Sequence, residues 1–287
     1  MGRVIYVNGR YLPYADASVH VEDRGFQFAD AIYEVIEVRA GALIDPTRHL
    51  DRLTRSLGEL QMGLPMARAA LTRVMAECVR RNRVVDGTIY LQISRGARPR
   101  DFLLPPPELA QTVVCIARPV PRAAADRRAA TGIAVITRPD TRWARCDIKT
   151  VMLLPSSLAK QAAFEAGARE AWFVDDTGHV TEGASSNAWI VDAKGCLITR
   201  PVDSAILRGV TRTTLFDVIG KAGHEVIERA FTVAEAKAAR EAFVTAATNI
   251  VMPVIRIDGA SIGDGRPGPI SRRLRAMFHE VAEVGRT

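Results

Sequence analysis

The sequence predicts an α+β protein in two parts. Strand-like and helical runs come in separate blocks rather than in strict βαβ alternation. The length, 287 residues, favours about two domains. Near the middle, RPVPRAAADRRAATG (Arg118–Gly132) is rich in Pro, Ala and Arg and poor in large apolar residues, which reads as a linker. The expected division is therefore a small N-terminal α/β domain over 1–118, a linker over 119–131, and a larger domain over 132–287.

In the first part, VIYVNGRYL reads as a hairpin about Asn8-Gly9, because that pair accepts the positive φ of a tight turn. AIYEVIEVRAGALI reads as two strands about Ala40-Gly41. HLDRLTRSLGEL places Leu50, Leu53, Leu57 and Leu60 on one helical face. A second helix is expected near Ala67 to Asn82, then strands at GTIYLQISRG and TVVCIARPV. Beyond the linker, strands are expected at Ile133–Thr137, Glu170–Val174, Ala188–Val191, Glu241–Thr245 and Val254–Ile257. Helices are expected after Ser156 or Ser157, with Leu158, Ala162 and Phe164 as the apolar positions, and at Thr213–Ala222, Val233–Arg240 and Ser271–Val284.

Composition removes several classes of function. The formal charge is 39 − 32 = +7. It is scattered in isolated Arg pairs with no aromatic interleaving, so a nucleic-acid partner is not expected. Cys78, Cys115, Cys146 and Cys196 have neither metal-ligand nor redox spacing, which points to a reduced, cytoplasmic protein without a structural metal. No apolar run is long enough to span a membrane. His-Glu-x-x-His and Gly-x-Ser-x-Gly are both absent. GDGRPG (Gly263–Gly268) spells a dinucleotide fingerprint. However, the second strand and acidic residue that such a unit needs do not follow before Thr287.

What remains is a set of chemically suggestive residues. Lys149 stands just before the apolar run Val151–Leu154, and an ammonium there must snorkel, pair or give up its proton. Glu182 is a lone acid in a β-rich stretch, followed by the small residues Gly183, Ala184, Ser185 and Ser186. LRGVTRTTLFDVIGKAG opens a helix after Gly209, with Thr211 as a candidate N-cap, and a helix start can hold phosphate. TAATNIVMPV (Thr245–Val254) reads as a second small-polar loop able to present backbone N–H groups to an anion. An amine, a carboxylate and two anion cradles are the parts that pyridoxal phosphate requires.

The order and spacing of EDRGFQFADAIYEV, HLDRL, RCDIKTVMLL and VTEGASSN, supported by LRGVTR, resemble the fold-type IV pyridoxal-phosphate enzymes. That class includes D-amino-acid and branched-chain aminotransferases and aminodeoxychorismate lyase. The resemblance covers nearly the whole chain and is closest to the D-amino-acid branch. It implies a two-domain architecture, with a β-barrel-like core in the larger C-terminal domain that carries the Schiff-base lysine.

Carried over by position, the resemblance makes Lys149 that lysine and Glu182 the partner of the ring nitrogen. It gives Arg52, Val210, Thr211, Ala247 and Thr248 to the phosphate, Leu207 to a face of the ring, and Tyr33 to the substrate. In the D-amino-acid branch an Arg-x-His pair holds the substrate carboxylate. Here the segment reads RPRDF, so Arg100 matches but Phe102 replaces the histidine. Arg100 is then the expected clamp, with Arg98 or Arg24 as alternatives. The implied enzyme is a homodimer with shared active sites. It would move an amino group between a D-amino acid and a 2-oxo acid by a ping-pong route. The alternative is a same-fold enzyme acting on branched-chain L-amino acids or (R)-amines, or a lyase.

Overall fold

The computed structural model describes residues 3–285. The chain divides into two compact units. Of the described residues, the first comprises 3–122, 148–152 and 283–285, and the second 123–147 and 153–282.

The first unit holds β1 (Val4–Val7), β2 (Arg10–Pro13), α1 (Arg24–Phe28), β3 (Ala31–Arg39), β4 (Ala42–Ile44), α2 (Pro46–Glu59), α3 (Arg68–Arg81), β5 (Gly87–Ser94) and β6 (Thr112–Pro119). The second holds α4 (Arg122–Thr131), β7 (Ile133–Pro139), α5 (Leu154–Glu165), β8 (Glu170–Val174), β9 (Val180–Gly183), β10 (Asn187–Val191) and β11 (Leu197–Thr199). It continues with α6 (Val210–Ala222), β12 (Val226–Glu228), α7 (Val233–Ala238), β13 (Glu241–Ala246), β14 (Ile250–Ile257), β15 (Ala260–Ser261) and α8 (Pro269–Val281). The chain then returns to the first unit as β16 (Val284–Gly285).

The seven strands of the first unit form one antiparallel sheet in the order β16-β4-β3-β5-β6-β1-β2. Its β1–β2 hairpin turns at Asn8 and Gly9, both at positive φ. Strand alternation sends Ile32, Ile36 and Val38 into the core with Ile89, Leu91 and Ile93 of β5. Helix α2 packs on β3 through Leu50, Leu53 and Leu57, and α3 packs on β6. Burying each such leucine contributes about 1.5–3 kcal/mol.

The second unit is built on a nine-stranded, curled half-barrel sheet, ordered β12-β11-β10-β13-β14-β7-β8-β9 with β15 on β14. The pairs β14/β7 and β7/β8 are parallel. Trp172 and Trp189 are fully buried in it, Trp189 stacking on Phe243 at 5.6 Å.

Several elements differ from the sequence expectation. The stretch expected as a linker contains helix α4, since Ala and Arg are good helix formers. The 245–254 loop is only a turn at 247–249, after which β14 begins at Ile250. Helix α5 starts at Leu154 without a side-chain cap, and it buries Ala159 and Ala163 rather than Leu158 and Phe164. Helix α6 starts at Val210, so the N-cap is Gly209 and Thr211 lies inside the first turn. GDGRPG is a turn. The α8 N–H groups of Ile270 and Ser271 donate to the Glu241 carboxylate at 2.9 Å, which fills the place a nucleotide phosphate would take. No helix among the described residues is long and apolar enough to cross a membrane.

Candidate active site

Residues 148–152 belong to the first unit, although they were expected in the larger domain. The reason is backbone pairing. Tyr33 N donates to Lys149 O at 3.0 Å, Val151 N donates to Ala31 O at 3.1 Å, and Ile32 bridges Thr150 antiparallel. The segment thus fills the edge of β3 that β4 leaves open, since β4 pairs only with Val38 and Arg39. Lys149 N lies 3.4 Å from the buried Ser56 Oγ on α2. With its backbone fixed, Lys149 places Nζ 4.2 Å from the centre of the Tyr33 ring. Tyr33 in turn stacks on Tyr90, whose phenol is pushed up to about 12 by burial. No carboxylate pairs with Lys149 among the described residues.

On the opposite face of β3, alternation carries Glu34 into the core between Ile32 and Ile36. A buried carboxylate requires partners. Helix α2 supplies them from HLDRL, where His49 and Arg52 lie one turn apart. Arg52 grips Glu34 through Nε at 2.8 Å and Nη2 at 2.7 Å, and His49 Nδ1 is 2.7 Å from the same carboxylate. Arg52 is therefore a largely buried, oriented cation rather than a surface residue. Burial alone would raise the Glu34 pKa. The Arg52 charge, with hydrogen bonds from Arg52 and His49, overcomes that and holds it at about 2. Burial also lowers the His49 pKa, against the pull of Glu34.

Both shifts have the same sign. The unfolded chain takes up these protons first on acidification, so stability is present above the ordinary values and falls with pH. The Glu34 contribution, on the order of 3 kcal/mol, is lost between the ordinary carboxylate value and about 2. Thermal melts of wild type should therefore steepen their decline below about pH 4.5, and Glu34→Gln should flatten that decline. Parallel melting curves for the two proteins would refute the assignment.

In the second unit, Glu182 is buried near the end of β9. Arg142 Nη1 donates to Glu182 Oε1. Asn187 Nδ2 donates to Oε2 at 3.0 Å, and Leu207 N lies within 3.2 Å of both oxygens. Arg142 is itself buried against the Phe173 ring and also bonds Asp140 and the Ala205 carbonyl. Burial would lower the Arg142 pKa, but Asp140 and Glu182 together raise it. Glu182 is thus a buried carboxylate held by a guanidinium, an amide and a backbone N–H. Leu207 is tied to the same group, its carbonyl accepting from Asn187.

Helix α6 begins at Gly209 with no side-chain cap. The N–H groups of its first turn therefore have no intrahelical partner, and Thr211 adds a buried hydroxyl. Ala247 and Thr248 lie in the turn between β13 and β14, Thr248 being exposed. Taken as chemistry and unit by unit, the first unit offers an amine without a carboxylate partner and an oriented guanidinium, and the second a buried carboxylate and a helix start beside a hydroxyl, the group types that pyridoxal phosphate needs.

The candidate carboxylate clamps lie in the first unit, and the structure separates them. Arg24 is 4% exposed. Its Nε pairs with Asp30 at 2.8 Å, and its Nη1 donates to the carbonyls of Asp101 and Leu103. Arg100 is exposed, with its guanidinium 4.5 Å from the Phe28 ring centre and 5.7 Å from that of Phe102. Arg98 is half-buried beside the Asp23–Ala97 bridge.

Sequence reading missed Glu34, His49 and Arg142. The first two had a signal, because an acid in register with Ile32 and Ile36 demands a cation on the facing helix. Arg142 had none, since its partners are distant in sequence and depend on the sheet.

These arrangements accord with known proteins. The profile of the amino-transferase class IV family matches residues 31–257. A D-alanine aminotransferase of Staphylococcus haemolyticus is 37% identical over 280 residues, covering 97% of this chain and 98% of the relative. The enzyme of the same name from Bacillus licheniformis is 37% identical over 285 residues, covering 99% of each. A solved T.th. branched-chain amino acid aminotransferase with pyridoxamine 5'-phosphate superimposes with a TM-score of 0.88 at 27% identity. That match covers 98% of this chain and 94% of the other. The paired lysine segment, the caged Glu182 and this full-length match converge on one conclusion: the chain belongs to the class IV amino-transferase family.

Proposed function

We propose that this protein is a pyridoxal-phosphate transaminase that moves an amino group between a D-amino acid and a 2-oxo acid. The observation that carries the reading is Lys149, an amine held by backbone pairing over Tyr33 with no carboxylate partner among the described residues. The near-full-length likeness to D-alanine aminotransferases supports the choice of substrate hand.

When bound, pyridoxal phosphate supplies an aldehyde that takes up an amine and a ring that draws electrons from the Cα bond. Lys149 would be the amine that holds the cofactor between turnovers. Its free amine would take the proton from substrate Cα as a general base. Glu182, ion-paired with Arg142, would hold a proton on the ring nitrogen. Arg52, the first-turn N–H groups at Val210 and Thr211, the Thr211 hydroxyl and the 247–248 turn would hold the phosphate, and Leu207 would lie against the ring.

For the substrate carboxylate, Arg100 is the proposed clamp and Tyr33 a lesser donor. A guanidinium can bind a carboxylate bidentately, so one arginine can serve where Phe102 donates nothing. We place this clamp in trans, within a homodimer. The apolar side chains Phe26, Phe102 and Leu103 of the first unit and Leu154, Leu158 and Phe164 of the second are all exposed, and a partner subunit would cover such side chains. Four free cysteines suit a cytoplasmic setting.

The test is a chiral panel of D- and L-amino acids with pyruvate and 2-oxoglutarate. D-amino acids should turn over and require the 2-oxo acid. Preferential turnover of L-leucine or L-valine would favour the branched-chain reading, and turnover without an acceptor would favour a lyase. Arg100→Ala should raise KM for D-alanine by about 10- to 100-fold and leave an amine without a carboxylate unaffected. If Arg100 acts in trans, mixing the inactive Lys149→Ala protein with Arg100→Ala should generate hybrid sites with wild-type KM.

A further inference from the structure

Residues 99–104 form an outlying loop that carries Arg100 and ends just before the buried Pro105. Its side chains Phe102, Leu103 and Leu104 are exposed. Within the loop, Leu103 N donates to Asp101 Oδ1 at 3.1 Å. Among the described residues, the hydrogen bonds that join these six positions to the rest of the first unit come from one side chain. Arg24 Nη1 donates to Asp101 O at 2.7 Å and to Leu103 O at 3.4 Å. The loop's other attachments are aromatic: Phe102 meets Phe28 edge-on at 5.6 Å, and Arg100 lies over Phe28 at 4.5 Å.

Arg24 is built to stay where it is. It opens helix α1, whose N-cap Asp23 accepts from Gly25 N and from Ser94 Oγ. Its own Nε pairs with Asp30, a carboxylate that also receives Nε and Nη2 of Arg95. Arg95 in turn donates to Leu60 O at 2.6 Å at the end of α2. The Arg24 guanidinium lies 4.7 Å from the centre of the same Phe28 ring that supports Arg100. One ring and one ion-pair network thus link the loop carbonyls, the guanidinium of Arg100 and the framework of the unit.

We infer that Arg24 is a positioning residue for the substrate clamp. It holds the 99–104 loop by its carbonyls, so that Arg100 presents its free edge to a carboxylate. The inference rests on the reading of Arg100 as that clamp. It assigns Arg24 no contact with substrate, because its fork is directed at Asp30, Asp101 O and Leu103 O. A guanidinium can serve a carboxylate and two carbonyls at once through its planar set of donors. A lysine has a single nitrogen and cannot span them.

The test uses the purified holoenzyme and Arg24→Lys, which keeps a cation for Asp30 and so avoids stranding that buried acid. Hydrogen–deuterium exchange is followed on peptides covering Arg100–Leu104, and steady-state kinetics on D-alanine and on an amine without a carboxylate. Arg24→Lys should speed exchange in the loop by about tenfold, with the remaining peptides unchanged. KM for D-alanine should rise by about tenfold, kcat should stay within about threefold, and the amine should show wild-type KM. Wild-type exchange in the loop would overturn the inference, as would faster exchange with an unchanged KM. An equal loss on both substrates would also overturn it, marking Arg24 as merely structural. Arg100→Ala separates the two readings. If it leaves the D-alanine KM unchanged, the clamp reading fails, and loop exchange alone then decides whether Arg24 is the anchor.

Discussion

Replacing Lys149 with alanine is expected to lower kcat by about a thousandfold or more, equivalent to ~4 kcal/mol in the barrier. Two functions are lost together, the amine that holds the cofactor and the base that moves the Cα proton. Two of the other lysines are engaged elsewhere. Lys160 is bonded to Arg169 O and paired with Glu170, and Lys237 is paired with Asp258. Borohydride reduction of the wild-type holoenzyme should therefore fix the cofactor on the Lys149 peptide and nowhere else. Mapping the adduct to Lys160 or Lys194 would sink the assignment. Stability should change little, because residue 149 is held through its backbone and no salt bridge is broken.

Glu182→Gln should cost about a hundredfold in kcat. The amide can still accept from Leu207 N or Arg142, but it carries no charge to keep the ring nitrogen protonated. Arg142 keeps Asp140 as an ion-pair partner, so the buried cation is not left alone, which limits the loss of stability. The cofactor should remain bound, since phosphate and lysine contacts are untouched. Single-turnover kinetics with Cα-deuterated substrate should show a larger isotope effect than in wild type, as proton abstraction becomes limiting. Unchanged turnover would mean that Glu182 is not the ring partner.

How much of this was legible in the sequence follows from the range of each interaction. The β1–β2 hairpin, the Leu50–Leu53–Leu57 face and the span of α3 are local patterns, and all were legible. The face of α5 was not. Its packing against the sheet selects the small Ala159 and Ala163 and leaves Leu158 and Phe164 outward, a choice made by neighbours rather than by helical period. The helix α4 was hidden because its apolar content is low and only propensity supports it. Lys149 and Glu182 stood out as isolated charges in apolar settings, whereas Arg52, amid other charges on its helix, entered only through the resemblance. Their partners Arg142 and Glu34 were harder to see, because burial of a charge is only apparent once strand register is known. The role of Arg24 was least legible, as it depends on two carbonyls in a loop 77 and 79 residues away.

The pairing of residues 148–152 along β3 has a consequence for how the molecule can be made. The chain passes from one unit to the other at Arg122–Ala123, Asp147–Ile148, Met152–Leu153 and Ala282–Glu283. Neither unit is a continuous stretch of polypeptide, so no single cut releases a complete one. A fragment ending at Arg122 lacks both the lysine-bearing strip beside Ile32 and the outer strand β16 beside β4. During synthesis, the first sheet stays unfinished until the whole second unit has emerged from the ribosome. The strip that carries Lys149 is laid onto β3, a strand made well before it, and β16 closes the other end of the sheet last.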